Sequence, residues 1–176
     1  MSLPQRKRLR LKNYDYFSPG CYFVTISTYE GAWLFGDGWH LNTLGKIVEQ
    51  EILKIESHYD DVKIDNFIIM PNHIHMLITI ACDALPNDNE IILDEVLGKN
   101  KHTGLGNIVG LFKSGVSKEI HKTESDIKNI WQRSYFDHII TCKEEYNEIW
   151  DYIDANPIRW QIKNNLMRAG QDPPLR

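Results

Sequence analysis

Residues 22–28 read Tyr-Phe-Val-Thr-Ile-Ser-Thr, apolar and hydroxylated positions in alternation with β-branched and aromatic content. That alternation predicts a half-buried strand. A turn-rich stretch over residues 31–38 follows. Asn42 can then cap a helix whose apolar positions Leu44, Ile47, Val48, Ile52 and Ile55 recur at helical spacing. Residues 62–70 predict a second strand, Pro71-Asn72 a tight turn, and residues 73–80 a third strand, so the last two strands can form a hairpin. Residues 82–104 are acidic and polar, contain Pro86, and predict a long loop with at most a short helix over 91–97. Leu105, Ile108, Val109, Phe112, Val116 and Ile120 mark a second helix. A fourth strand is expected over 131–141 and a third helix over 144–155, ended by Pro157, because proline disfavours a helical conformation at the residue before it.

The order is strand, helix, strand, strand, helix, strand, helix. Its first six elements follow the split βαβ, ferredoxin-like pattern of the α+β class. The expectation is one domain over residues 1–176. An antiparallel sheet carries helices on one face, leaves the other face open, and is followed by a C-terminal helix.

Composition narrows the picture modestly. The 176 residues suit one domain with a real core, and 42% hydrophobic with 25% charged residues is ordinary for a globular chain. No apolar run is long enough to span a bilayer, and the first residues lack the apolar segment of a secretory signal. Cys21, Cys82 and Cys142 are odd in number and far apart, which argues against a disulfide framework and a cysteine zinc site and makes the cytoplasm the default expectation. The net charge of −4 counts mildly against a bulk polyanion binder. Its distribution matters more: residues 1–20 form a basic arm with Arg6, Lys7, Arg8, Arg10 and Lys12 near its start. The arm suits phosphate contacts, or it is simply a solvated terminus.

The third predicted strand holds the most informative tripeptide, His73-Ile74-His75. Side chains two apart on a strand share a face, so both imidazoles project together while Ile74, Met76 and Ile78 point the other way. Two imidazoles at this spacing can bind one metal ion; alone, they are equally two half-exposed surface histidines. On the third helix Tyr146, Ile149, Trp150 and Ile153 form the apolar stripe, and Tyr152 and Asn156, four apart, sit beside it. A phenol there can border a cleft, and an amide oxygen suits a hard cation such as Mg²⁺ or Mn²⁺. Packing for the tyrosine and capping for the asparagine are the plainer alternatives. His138 competes with Asn156 as a third ligand. Lys113, Lys118, Arg133, Arg6 and Arg8 are candidate phosphate contacts, and exposed Tyr and Trp side chains can stack on unpaired bases. Phe112-Lys113-Ser114 lies in an amphipathic helix without phosphate-loop spacing, so no nucleotide cofactor is expected.

Four blocks occur in order: Met70-Pro71-Asn72-His73-Ile74-His75-Met76, Phe112-Lys113-Ser114, residues 130–140 (Ile-Trp-Gln-Arg-Ser-Tyr-Phe-Asp-His-Ile-Ile), and Tyr152-Ile153-Asp154-Ala155-Asn156-Pro157. Together, over about residues 22–160, they resemble the HUH single-tyrosine transposases, and the Tyr-x-x-x-Asn-Pro ending looks most like the REP-associated branch. The resemblance implies His73 and His75 as a metal-binding pair, Tyr152 as nucleophile and Asn156 as third ligand, where relatives nearer the insertion-sequence transposases carry glutamine. It implies a Mg²⁺- or Mn²⁺-dependent enzyme that nicks and joins hairpin-bearing single-stranded DNA through a 5′-phosphotyrosine. A phenol is a weak nucleophile at neutral pH, and a cation on the scissile phosphate supplies what it lacks. The family includes dimers with shared active sites as well as monomers, so a homodimer stays open. The alternative from another class is a non-catalytic single-stranded nucleic-acid-binding module on a ferredoxin-like sheet. It leaves the two histidines without a purpose. A phosphodiesterase using water is a third option, marked by the absence of a protein–DNA adduct.

Overall fold

The computed structural model describes residues 16–81 and 103–169, with side chains in the final helix as far as residue 162. Residues 1–15 of the basic arm, with Arg6 and Arg8, lie outside the described residues, as do residues 82–102 of the expected loop.

Four strands, β1 (Gly20–Ser27), β2 (Val62–Met70), β3 (His73–Ile80) and β4 (Phe136–Ile140), form an antiparallel sheet in the order β2-β3-β1-β4. Helices α1 (Thr43–Leu53), the short α2 (Ile55–His58) and α3 (Leu105–Thr123) complete the α+β ferredoxin-like arrangement. Pro71 and Asn72 make the two-residue connection of the β2–β3 hairpin, since Met70 pairs with His73. Asn42 caps α1 by accepting a hydrogen bond from the Gly45 N–H at 2.9 Å.

Alternation along β3 divides the molecule. Ile74, Met76, Ile78 and Ile80 are fully buried with Tyr22, Val24 and Ile26 of β1, against Val48 and Ile52 of α1 and Ile108, Phe112, Val116 and Ile120 of α3. The intervening positions of β3 face the other way, where Leu77 joins Cys21, Ile140 and Ile153 in a smaller buried cluster. Ile153 belongs to α4 (Lys143–Asp154), which lies across β2 and β3. The face expected to be open is therefore partly covered. The cause is apolar: Leu77 is completely buried and needs a lid, and Tyr146, Ile149 and Ile153 of α4 supply it. Trp150, the fourth member of the expected stripe, stays at the margin, 37% exposed.

Two further boundaries differ from expectation. β4 begins at Phe136 rather than 131: Trp131 keeps only an isolated antiparallel bridge to Thr28, while its ring lies 5.4 Å from Phe35 and 5.9 Å from Phe112 and its Nε1–H donates to the Lys113 carbonyl. Helical structure also resumes after Ala155 as α5 (Asn156–Ala169). Pro157 falls in the first turn of α5, where its missing N–H costs nothing and its fixed φ suits the helix.

If the smaller cluster holds α4 in place, Leu77→Ala should lower unfolding free energy by about 2–5 kcal/mol, the usual range for a buried leucine. Urea titration followed by circular dichroism checks this. A change under about 0.5 kcal/mol, the size of an ordinary surface substitution, would mean that α4 is held by something else.

Candidate active site

His73 and His75 sit opposite Ser27 and Thr25 of β1, on the face that carries Leu77. Their ring centroids are 4.7 Å apart at an interplanar angle of 72°. Each Nδ1 is engaged by an oxygen: His73 with Asn72 Oδ1 at 2.7 Å, His75 with Thr25 Oγ1 at 2.8 Å. The Asn72 amide is itself oriented, since its Nδ2 donates to the Gly31 carbonyl at 3.3 Å. With Oδ1 accepting from His73 Nδ1–H, the lone pair of that ring resides on Nε2, the tautomer that a metal-ligating imidazole adopts. His75 is only 5% exposed. Burial, with a lesser contribution from the neighbouring His73, pushes its pKa down from 6.5 to about 3, so it is neutral at neutral pH.

Docking of α4 brings Tyr152 to this pair. Its ring centroid lies 5.3 Å from that of His75 and 6.0 Å from that of Phe23, nearly edge-on to the latter, and the residue remains 36% exposed. The Arg159 guanidinium of α5 lies 5.4 Å from the centre of the same ring. Asn156, one turn beyond Tyr152 at the α4–α5 junction, is 6% exposed. Among the described residues, no third His, Cys, Asp or Glu completes a metal-binding group with the two histidines. The two imidazoles, with a lone pair free on His73 Nε2, are donors of a kind that suits a divalent cation.

His138 is otherwise occupied: its Nε2 pairs with Glu145 Oε1 at 2.5 Å, and the other oxygen of Glu145 accepts from the Thr141 N–H. Lys113 and Lys118 lie on α3, behind the sheet from the histidines. Lys113 Nζ donates to the Gln132 carbonyl at 2.6 Å, and burial lowers its pKa. Lys118 borders a groove against Glu51, His58 and Tyr59 of the α1–α2 side. Arg133 is exposed in the segment before β4. None of these cations is brought to the histidines. The sequence reading missed Arg159, Trp160, Thr25 and Asn72 as neighbours of the site. Asn72 was visible in the block it shares with His73; Arg159 and Trp160 lay beyond the proline taken as a helix stop.

A β-bulge fixes how α4 lies. The β2–β3 register slips between Ile64 and Asn66, leaving Asp65 extra. Asp65 accepts from Thr79 Oγ1 at 2.5 Å and pairs with Lys63 at 2.9 Å. It also hydrogen-bonds Tyr146, whose phenol is pushed well above its ordinary range by burial and then by the Asp65 charge. Asn66 Nδ2 donates to Asp154 Oδ1 at 2.9 Å. Both ends of α4 are thus tied to one irregularity in β2.

No family model matches the chain. A protein of Haemophilus influenzae, described only as uncharacterized, is 37% identical over 163 residues, covering 89% of this chain and 90% of that one. The chain belongs to the family of that Haemophilus protein. A solved structure of a REP-associated tyrosine transposase bound to a REP hairpin aligns with a TM-score of 0.58 and 19% identity, over 85% of this chain and 74% of that one. At that identity the Haemophilus protein and this chain share sequence, whereas the transposase likeness is one of fold. No helix among the described residues is long and apolar enough to cross a membrane.

The depressed His75 pKa has a measurable consequence in chelator-treated protein. The unfolded chain takes up a proton at His75 near pH 6.5, the folded one only near 3. Stability is therefore full above 6.5 and falls as pH drops through that window, by up to about 1.4 kcal/mol per unit. Urea midpoints measured across it should decline, and His75→Gln should flatten the decline. An identical slope in the variant would show that His75 is not held neutral.

Proposed function

We propose that the protein is a metal-dependent transposase-type enzyme that nicks and joins hairpin-bearing single-stranded DNA through Tyr152. The observation that carries this reading is the contact of Tyr152 with His75, itself paired with His73, the tyrosine 36% exposed and His75 buried beside it. The fold shared with a REP-associated tyrosine transposase solved bound to a REP hairpin supports it.

In this reading His73, His75 and Asn156 hold a Mg²⁺ or Mn²⁺ ion, which when bound polarises the scissile phosphate and stabilises the leaving oxygen. The residues of the chain do the rest. Thr25 and Asn72 keep the imidazoles aimed. The Tyr152 phenol oxygen attacks phosphorus and gives up its proton to water. The bond from phosphorus to the 3′ oxygen breaks with its electron pair, and that oxygen takes a proton to become a free 3′-hydroxyl. The 5′-phosphate stays on Tyr152. Because one phosphodiester is exchanged for another, attack by a 3′-hydroxyl reverses the step without ATP. Arg159, whose guanidinium lies 5.4 Å from the centre of the Tyr152 ring, is the permanent positive charge that this reading assigns to the phosphate. The subunit arrangement proposed is a monomer or a homodimer, and the reading involves neither a membrane nor a nucleotide cofactor. Cytoplasmic residence goes with it.

Labelled single-stranded hairpin DNA incubated with Mn²⁺ tests the reading. Wild type should give a covalent protein–DNA adduct, and Tyr152→Phe none. His73→Ala and His75→Ala should each lower adduct formation toward the level left by chelator. An adduct that persists in Tyr152→Phe reassigns the nucleophile; cleavage with no adduct indicates water instead; binding indifferent to chelator and without cleavage indicates a binding module. Arg159→Ala should slow adduct formation by about a hundredfold, as loss of one oxyanion-stabilising group does elsewhere.

A further inference from the structure

A row of ring contacts leads from Tyr152 out to solvent: Tyr152 to His75 at 5.3 Å, His75 to His73 at 4.7 Å, His73 to Trp160 at 5.6 Å, and Trp160 to Trp33 at 5.5 Å. The first three rings are accounted for by the chemistry above. The two indoles are not.

Trp33 is 55% exposed, a large apolar ring left in water at the margin of the site. Its surroundings hold it in place. Residues on either side are tied to the β2–β3 turn: the Thr28 N–H donates to the Asn72 carbonyl, and the Leu34 and Phe35 N–H groups both donate to the Pro71 carbonyl. Trp160 is backed in turn by the neighbouring loop. Gly38 there has φ +103°, and a Cβ at that position would lie 3.2 Å from Trp160 Cδ1. The loop is closed by Asp37, whose Oδ1 accepts from the Trp39 and His40 N–H groups at 2.8 Å each. A glycine in the left-handed region and an aspartate-closed turn let backbone lie directly against the indole.

A flat, firmly held and exposed aromatic beside a phosphodiester-handling centre matches one ligand group above others. An unpaired nucleobase offers a planar face for stacking and arrives on the same strand as the phosphate. Tyr29 and Trp39 are exposed near Trp33 as well, so the margin offers separate aromatic faces, the form in which successive unpaired bases are held, rather than the aliphatic strip that a protein helix would need. We propose that Trp33, backed by Trp160, is the stacking platform for one unpaired base of the DNA strand that Tyr152 attacks. The proposal rests on the single-stranded DNA reading given above and adds where a base is held.

The test is an abasic scan. A fluorescein-labelled hairpin DNA with single-stranded tails is bound to the wild-type protein in chelator, so that nothing is cut. The measurement is repeated with DNAs that each lack one tail base. One position should stand out, its loss weakening binding by about 5- to 150-fold, the range for removing one base–aromatic stack. Trp33→Ala should weaken binding of the intact DNA by a similar factor and abolish the further effect of the missing base, while Trp33→Tyr should preserve both. Trp33 is exposed enough for these variants to fold, which circular dichroism checks. A scan unchanged by Trp33→Ala overturns the platform. If the Tyr152 adduct still forms with Mn²⁺, the platform alone has failed; if wild type neither binds nor cuts single-stranded DNA, the functional reading has failed with it.

Discussion

The docking of α4 onto Leu77 is the contact on which the arrangement depends. Residues 73, 75, 77 and 79 of β3 share one face by the period of a strand, so the two histidines cannot be separated from that leucine. Leu77 is completely buried, and it is buried by Ile153 and its neighbours on α4. Whatever helix satisfies Leu77 must therefore run beside His75. The apolar contact alone would leave α4 free to swivel, because hydrophobic burial is not directional. Direction comes from the bulge, where Asp65 meets Tyr146 and Asn66 meets Asp154. A nonspecific force brings α4 down onto the sheet, and two hydrogen bonds set its line.

The two halves of the candidate site face opposite demands. A histidine that is to offer a lone pair must stay neutral, and burial achieves that for His75 by penalising its charged form. In the proposed function, a nucleophile acting on a polymer would instead have to reach a substrate too large to enter a closed cavity. Tyr152 remains 36% exposed at the edge of the same cluster. The boundary of the α4 footprint passes between them. Leu77 and Ile153 lie beneath it, and Tyr152 and Trp150 emerge at its margin.

Local signals made much of this readable in the sequence. The alternation in β3 placed His73 and His75 on one face and Ile74, Met76 and Ile78 on the other; Pro71-Asn72 marked the hairpin; Asn42 marked the start of α1. Long-range competition hid the rest. Residues 131–135 have strand-like composition, yet pairing there shrinks to an isolated bridge between Trp131 and Thr28, with the Trp131 indole packed against Phe35 and Phe112. Leu77 looked like one more alternating strand residue, and nothing in its immediate neighbours said that another helix would cover it. The exposed indole of Trp33 and the place of Trp160 depend on contacts across the fold, which periodicity does not encode.

The proline is the most instructive case, because the expected end of α4 is also the start of α5. Pro157 has no N–H to offer the Ile153 carbonyl, and the Ala155 N–H turns to that carbonyl while also bonding Asp151. The regular ladder breaks at Ala155, and α5 sets off from a proline already in helical φ. That break separates two requirements that one unbroken helix would have to meet together. α4 can lie along β2 and β3 as Leu77 and the bulge dictate, while α5 takes its own course and carries Trp160 to His73 and Arg159 to Tyr152. The Tyr-x-x-x-Asn-Pro sequence is thus a joint as much as a motif. Its proline lets the residues on either side of it close on the histidines from two helices.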